Sequence, residues 1–147
     1  MFRGRFEFSI DSKGRISIPS KFREILSEKC GNRLVITNLD RALLAFPHDE
    51  WLRIEERTGT LNLLKRETGA FYRFFFSSAT DCNIDNQGRL LIPPSLREYA
   101  SLQKNVVLLG EGKWIEILSK ERWLEEAQKV ETNFDQVRDT LASLVTI

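Results

Sequence analysis

The sequence predicts an α+β protein built from two copies of one unit. Three observations carry that reading. First, Ile10–Pro19 returns as Ile84–Pro93: Asp11, Gly14, Arg15, Pro19 and Arg23 recur 74 positions later as Asp85, Gly88, Arg89, Pro93 and Arg97. Second, Leu34-Val35-Ile36 and Trp51-Leu52 recur at an offset of 72, as Val106-Val107-Leu108 and Trp123-Leu124. Third, alternating apolar stretches are interleaved with stretches spaced by three and four, the periods of strands and helices. Two copies are too few for a solenoid, so the expected arrangement is two half-units paired with each other, 1–79 and 80–147.

The elements follow in order. Phe6, Phe8 and Ile10 alternate and predict a strand. Lys13-Gly14 marks a turn that Asp11 can cap through its side chain. Ile16-Ser17-Ile18 alternates again, so the motif reads as a strand–turn–strand hairpin ended by Pro19. Ser20 is the expected N-cap of a helix over 21–27, and Ser95-Leu96-Arg97-Glu98 has the spacing of a capping box. Leu34–Thr37 and Leu43–Phe46 read as strands, and a helix runs from Pro47 or His48 to about Arg57. Leu61, Leu64, Thr68, Phe71 and Phe75 predict an amphipathic helix to about Ser78. After the second hairpin come strands at Val106–Leu109 and Trp114–Leu118. From Lys120, the seam Trp123, Ala127, Val130, Phe134, Val137, Leu141 and Leu144 predicts one helix packed on its own domain.

Composition excludes several classes. The chain has 147 residues, 41% hydrophobic and 29% charged, which argues against wholesale disorder. No apolar run approaches the roughly 20 residues of a membrane span. The start, Met1-Phe2-Arg3-Gly4-Arg5, lacks the apolar stretch of a secretion signal. Cys30 and Cys82 are too few for a disulfide framework, and a cytoplasmic protein with reduced thiols is expected. Cys82 lies in an alternating apolar stretch and reads as a small core residue. The net charge of +1 hides an asymmetry. Residues 1–23 carry six basic and two acidic side chains, whereas 111–147 carry five basic and eight acidic. A basic end on a nearly neutral chain fits a face built for an anion.

Catalysis finds little support. His48 is the only histidine and opens a helix. Cys30, Cys82 and His48 lack the clustering of a zinc site, and there is no phosphate loop or nucleophile elbow. Neither a metal nor a cofactor is expected, nor a small-molecule substrate. Asp11 and Asp85 could form a carboxylate pair across a pseudo-twofold axis, but each has an arginine four residues on, and an Asp–Arg bond bracing the turn is simpler. Binding reads better. The first turn offers Ser12, Lys13 and Arg15, near Arg3, Arg5, Lys21 and Arg23. Arginine suits guanine edges and phosphates, and a two-stranded ribbon fits the DNA major groove. The second copy has Asn86 and Gln87 at the corresponding turn, so the halves are expected to share a fold but not a task. The plain alternative is that both hairpins only join the halves.

Met1-Phe2-Arg3-Gly4, Asp11-Ser12-Lys13-Gly14-Arg15, Pro19, Phe22-Arg23, Asp85-x-x-Gly88-Arg89, Pro93 and Leu96-Arg97 together resemble the MraZ family, of the AbrB/SpoVT swapped-hairpin class. The resemblance covers essentially the whole chain. It implies two interlocked β-barrel halves with flanking helices, and a bacterial transcription regulator, usually a repressor, associated with the nucleoid. It further implies a ring homo-oligomer on tandem direct repeats of double-stranded DNA, at the promoter of its own division and cell-wall gene cluster. By position, Arg15 is the foremost DNA-contacting candidate, supported by Lys13, Arg3, Lys21 and Arg23. Asp11, Gly14, Asp85, Gly88 and Arg89 would shape the turns. The alternative reading is an antitoxin-like assembly module without sequence-specific DNA binding.

Overall fold

The computed structural model describes residues 1–145; the last two positions of the expected second half, and the Cys30 side chain, lie outside the described set. The elements run β1 (Phe2–Ser9), β2 (Arg15–Ser17), α1 (Ser20–Cys30), β3 (Arg33–Leu39), β4 (Ala42–Pro47), α2 (His48–Thr58) and α3 (Arg66–Ser77). The second copy follows as β5 (Thr80–Asn83), β6 (Arg89–Leu91), α4 (Pro94–Tyr99), β7 (Asn105–Gly112), β8 (Ile115–Ser119), α5 (Lys120–Thr132) and α6 (Phe134–Val145). This is an α+β fold of two repeated halves.

The strands do not pair within their own halves as the hairpin reading expects. β1 runs antiparallel to β7, and β5 to β3, so each half lends its first strand to the other. β2 pairs with β6 rather than with β1. Alternation tells a strand which face is buried, not which neighbour it joins, and the neighbour here lies in the other copy. The main sheet has the order β1-β7-β8-β4-β3-β5, with β2-β6 as a separate ribbon. The offsets of the repeat reproduce its register. Phe6↔Leu108 and Ser9↔Asn105 become Thr80↔Ile36 and Asn83↔Arg33. The pairs Ile16↔Leu90 and Leu44↔Glu116 map onto themselves, so the pseudo-dyad passes through them.

The expected barrel does not close. β1 and β5 remain the two edges of an open sheet. The strands that would bridge them, β2 and β6, are three residues long and are followed within two residues by Pro19 and Pro93, which cannot donate to a ladder.

The ribbon, α1 and α4 cover one face of the sheet. Ile16, Phe22, Leu26, Leu90 and Leu96 pack there against Leu34, Ile36, Leu108, Ile115 and Ile117. Phe2 and Phe6 meet Phe22 edge-on at 5.3 and 5.2 Å. Cys82 is half-buried against this core, and burial, with Asp81 beside it, pushes its thiol up to about 11. The opposite face carries a smaller cluster, Val35, Leu44, Phe46 and Trp51, closed by Phe75 of α3. The Thr37 hydroxyl donates to the Phe75 carbonyl at 2.6 Å, and Asn38 Nδ2 donates to Ser78 Oγ at 3.0 Å.

Helix limits depart from expectation in three places. Pro19 and Pro93, not serines, occupy the caps of α1 and α4, and no side-chain cap bond forms; with Pro94 heading α4, the capping box at Ser95 is not made. Proline's fixed φ already suits a helix entry, and the missing N–H costs nothing there. α3 begins at Arg66 rather than Leu61. The long C-terminal helix breaks at Asn133, whose side-chain amide donates to Lys129 O at 3.1 Å and competes with the helical ladder. Beyond the break, α6 buries nothing, contrary to a seam packed on its own domain.

Candidate nucleic-acid interface

Each motif turn is wound around its aspartate. Asp11 Oδ1 accepts from the backbone N–H groups of Lys13 and Arg15, both at 2.9 Å, and Oδ2 accepts from Arg15 Nε at 2.7 Å. Asp85 repeats this with Gln87 N at 2.8 Å, Arg89 N at 2.9 Å and Arg89 Nε at 3.4 Å. These bonds, the Arg15 N–H foremost, hold the Asp11 carboxyl down at about 2, and the Arg89 N–H does the same in kind for Asp85. Both groups are therefore ionised throughout the physiological range. Arg15 uses only its Nε in this brace among the described residues, which leaves the outer guanidinium nitrogens for a ligand.

The turns are crossed as well as braced. Ile18 N donates to Gly88 O, and Ile92 N to Gly14 O, both at 2.9 Å. Arg23 Nε donates to Ile18 O at 3.1 Å, which lays its guanidinium over Gly88; Arg97, bonded to Ile92 O at 3.1 Å, lies over Gly14. Gly14 has φ +86° and Gly88 φ +75°, a left-handed backbone that glycine adopts without strain. A Cβ on Gly14 would also stand 2.5 Å from the Arg97 guanidinium carbon. Glycine thus supplies both the turn and the space for an arginine from the other half.

The crossing gathers charge. With Ile16 and Leu90 buried, Arg15, Ser17, Arg89 and Leu91 share the outward face of the ribbon, where Arg15 pairs with Leu91 and Ser17 with Arg89. Arg15 and Arg89 are therefore diagonal neighbours, roughly 7 Å apart along the strands. Lys13 is exposed at the first turn and Lys21 on the first turn of α1. Arg23 comes to the second turn rather than the first. Arg3 is not brought to this face: it lies on β1 opposite Glu111, while Arg5 sits 4.7 Å over the Trp123 ring on the far side of the sheet. Sequence reasoning missed Arg97. Its signal was the offset that pairs it with Arg23, which becomes informative once the turns are known to cross. Among the described residues no group of His, Cys, Asp and Glu could hold a metal ion, and no helix is long and apolar enough to cross a membrane.

A duplicated α+β chain whose halves exchange strands, with an aspartate-braced, arginine-bearing turn in each, is a swapped-hairpin protein. Comparison with known proteins takes this further. The family described as "MraZ protein, putative antitoxin-like" matches residues 1–74 and again 75–144. The chain is 42% identical over 146 residues to a Desulforamulus reducens protein named Transcriptional regulator MraZ, covering 99% of this chain and all of that one. Proteins of the same name from Caldanaerobacter subterraneus and Pediococcus pentosaceus are 44% and 45% identical, each over 96% of both chains. The chain belongs to the MraZ family of transcriptional regulators.

Proposed function

We propose that this protein is a sequence-specific DNA-binding regulator that represses the division and cell-wall gene cluster containing its own gene. The single observation behind this reading is the basic outward face of the crossed turns: Lys13 and Arg15 on a tight ribbon, Arg97 laid over the same turn, Arg89 diagonal to Arg15. Lys21 and Arg23 flank that face. Arg3, on another surface, would act only through a neighbouring subunit or a second stretch of duplex. A narrow two-stranded ribbon with free guanidinium nitrogens suits the major groove and its phosphates. One ribbon makes few contacts. A ring that sets several on tandem direct repeats gains affinity through effective concentration. Bound so, the protein would be a nucleoid component of the cytoplasm.

Gel shifts with the promoter upstream of its own gene test this reading. A probe with several repeats is expected to bind far more tightly than one with a single repeat, with affinity falling steeply as salt rises. Arg15→Ala is expected to weaken specific binding by about 1–3 kcal/mol per ribbon while circular dichroism and oligomer size stay unchanged. Unaltered shifts would remove Arg15 from the interface. Binding to no duplex even at low salt would leave the antitoxin-like assembly reading, which the uncovered apolar seam of α6 favours.

A further inference from the structure

Helix α6 presents an uncovered apolar face among the described residues. Phe134, Val137, Leu141 and Leu144 stand 47, 41, 55 and 76% exposed along one stripe. Its own domain offers no seat. Where Leu44 and Ile54 pack with Phe75 of α3, the corresponding positions of the second half hold Glu116 and Glu126. A second uncovered apolar surface lies on α3 and the segment just before it. Leu64 before α3 is 96% exposed, Leu63 49%, and Phe71 and Phe74 on the flank of α3 are 42 and 41% exposed.

The two surfaces carry opposite charge. Residues 57–73 bear Arg57, Lys65, Arg66 and Arg73 against Glu67 alone. Residues 131–139 bear Glu131, Asp135 and Asp139 against Arg138, whose guanidinium lies over the Phe134 ring. Among the described residues none of Lys65, Arg66, Glu131, Asp135 and Asp139 has an ion-pair partner. Two apolar stripes, each rimmed by unpaired charge of the opposite sign, are complementary to each other. We infer that α6 of one subunit docks on the Leu61–Leu64 segment and the α3 flank of a second copy of this chain. The contact joins two different patches, so each subunit keeps one free face of each kind. Such a head-to-tail interface propagates around a ring. The inference rests on the ring reading above and names the surface that would close it.

The test uses the full chain in sedimentation velocity. Leu141→Asp blocks the α6 face; Leu64→Asp with Arg66→Glu blocks the α3 face, at exposed positions outside the core. Each variant alone is expected to raise the concentration for half-dissociation at least tenfold. An equal mixture of the two is expected to form a one-to-one dimer, because one intact pair of faces remains. Lys65→Glu and Arg66→Glu combined in one chain with Asp135→Arg and Asp139→Arg are expected to restore assembly. If the α3 variant assembles like the parent, α6 is pairing with another α6 or with something else, and the inference fails while the ring reading stands. If the parent chain is itself monomeric, the ring reading fails and takes the inference with it.

Discussion

The two halves share a register to the residue yet treat their last helices in opposite ways. In the first half, α3 lies down on the sheet. Phe75 enters the bed of Val35, Leu44, Phe46 and Trp51, and Thr37 and Asn38 tie the helix end. In the second half the positions of Thr37 and Asn38 are Leu109 and Gly110, so neither tie exists. Leu44 becomes Glu116, and Ile54 becomes Glu126, which pairs at 2.7 Å with Arg122. Arg122 is buried and also reaches Asp40 at 3.1 Å. A bed lined with Glu116 and Glu126 does not accept an apolar helix face, because covering polar groups that the helix cannot hydrogen-bond costs more than the burial returns. A handful of substitutions at dyad-related sites therefore turns a core helix into an outward-facing one.

The strongest way to break this comparison is to delete the same kind of side chain from both helices. Phe75→Ala is expected to cost about 3–5 kcal/mol of stability in urea unfolding. Leu141→Ala should change monomer stability by no more than about 0.5 kcal/mol, since it lies on an exposed face. Equal losses would mean that α6 is seated after all.

A subtler probe restores the dyad. Burial first, and then a hydrogen bond with Glu111, push the Glu116 carboxyl up from 4.5 to about 8. A carboxyl raised in the fold keeps its proton where the unfolded chain would release it. It therefore costs stability progressively as pH climbs from 4.5 to 8, and fully above that. Glu116→Leu, the residue of the first half, is expected to melt higher than the parent, with the gap widening across that window. A pH-independent gap would place the effect in packing alone.

The smallest effect compares the two turns. The Asp11 carboxyl, lowered from 3.8 to about 2, contributes stability that is complete above its unfolded value and is lost as pH falls from 3.8 towards 2. The Asp85 brace is longer, at 3.4 Å against 2.7 Å. Asp11→Asn should consequently flatten the acid limb of the melting profile more than Asp85→Asn does. Equal flattening would show that the backbone bonds, which the two turns share, outweigh the guanidinium contact.

Much of this was legible in the residues. Offsets of 74 and 72 announce the duplication, and they also carry its register, because the pairs of β5 with β3 map onto those of Phe6–Ser9 with β7. The Asp–Arg brace was readable from spacing alone. The alternation of Phe6, Phe8 and Ile10 could not show the exchange of strands, since it would be identical beside any neighbour; only the family resemblance implied interlocked halves. The same blindness hid Arg97, which reaches the first turn only because the halves cross. The break at Asn133 was invisible for another reason: Val130, Phe134 and Val137 keep a helical spacing straight through it, and the interruption comes from one amide side chain bonding its own backbone.

Strand exchange also governs how this chain must come into being. As a ribosome threads it out from the amino end, β1 emerges well before its ladder partner, Asn105–Gly112. The leading strand must wait, with Phe2, Phe6 and Phe8 unsheltered, until that partner has been made. Contacts this distant in sequence form slowly. Maturation of the basic turns is thus a late, all-at-once event, and a truncated translation product would carry the arginines of the first motif without the frame that aims them.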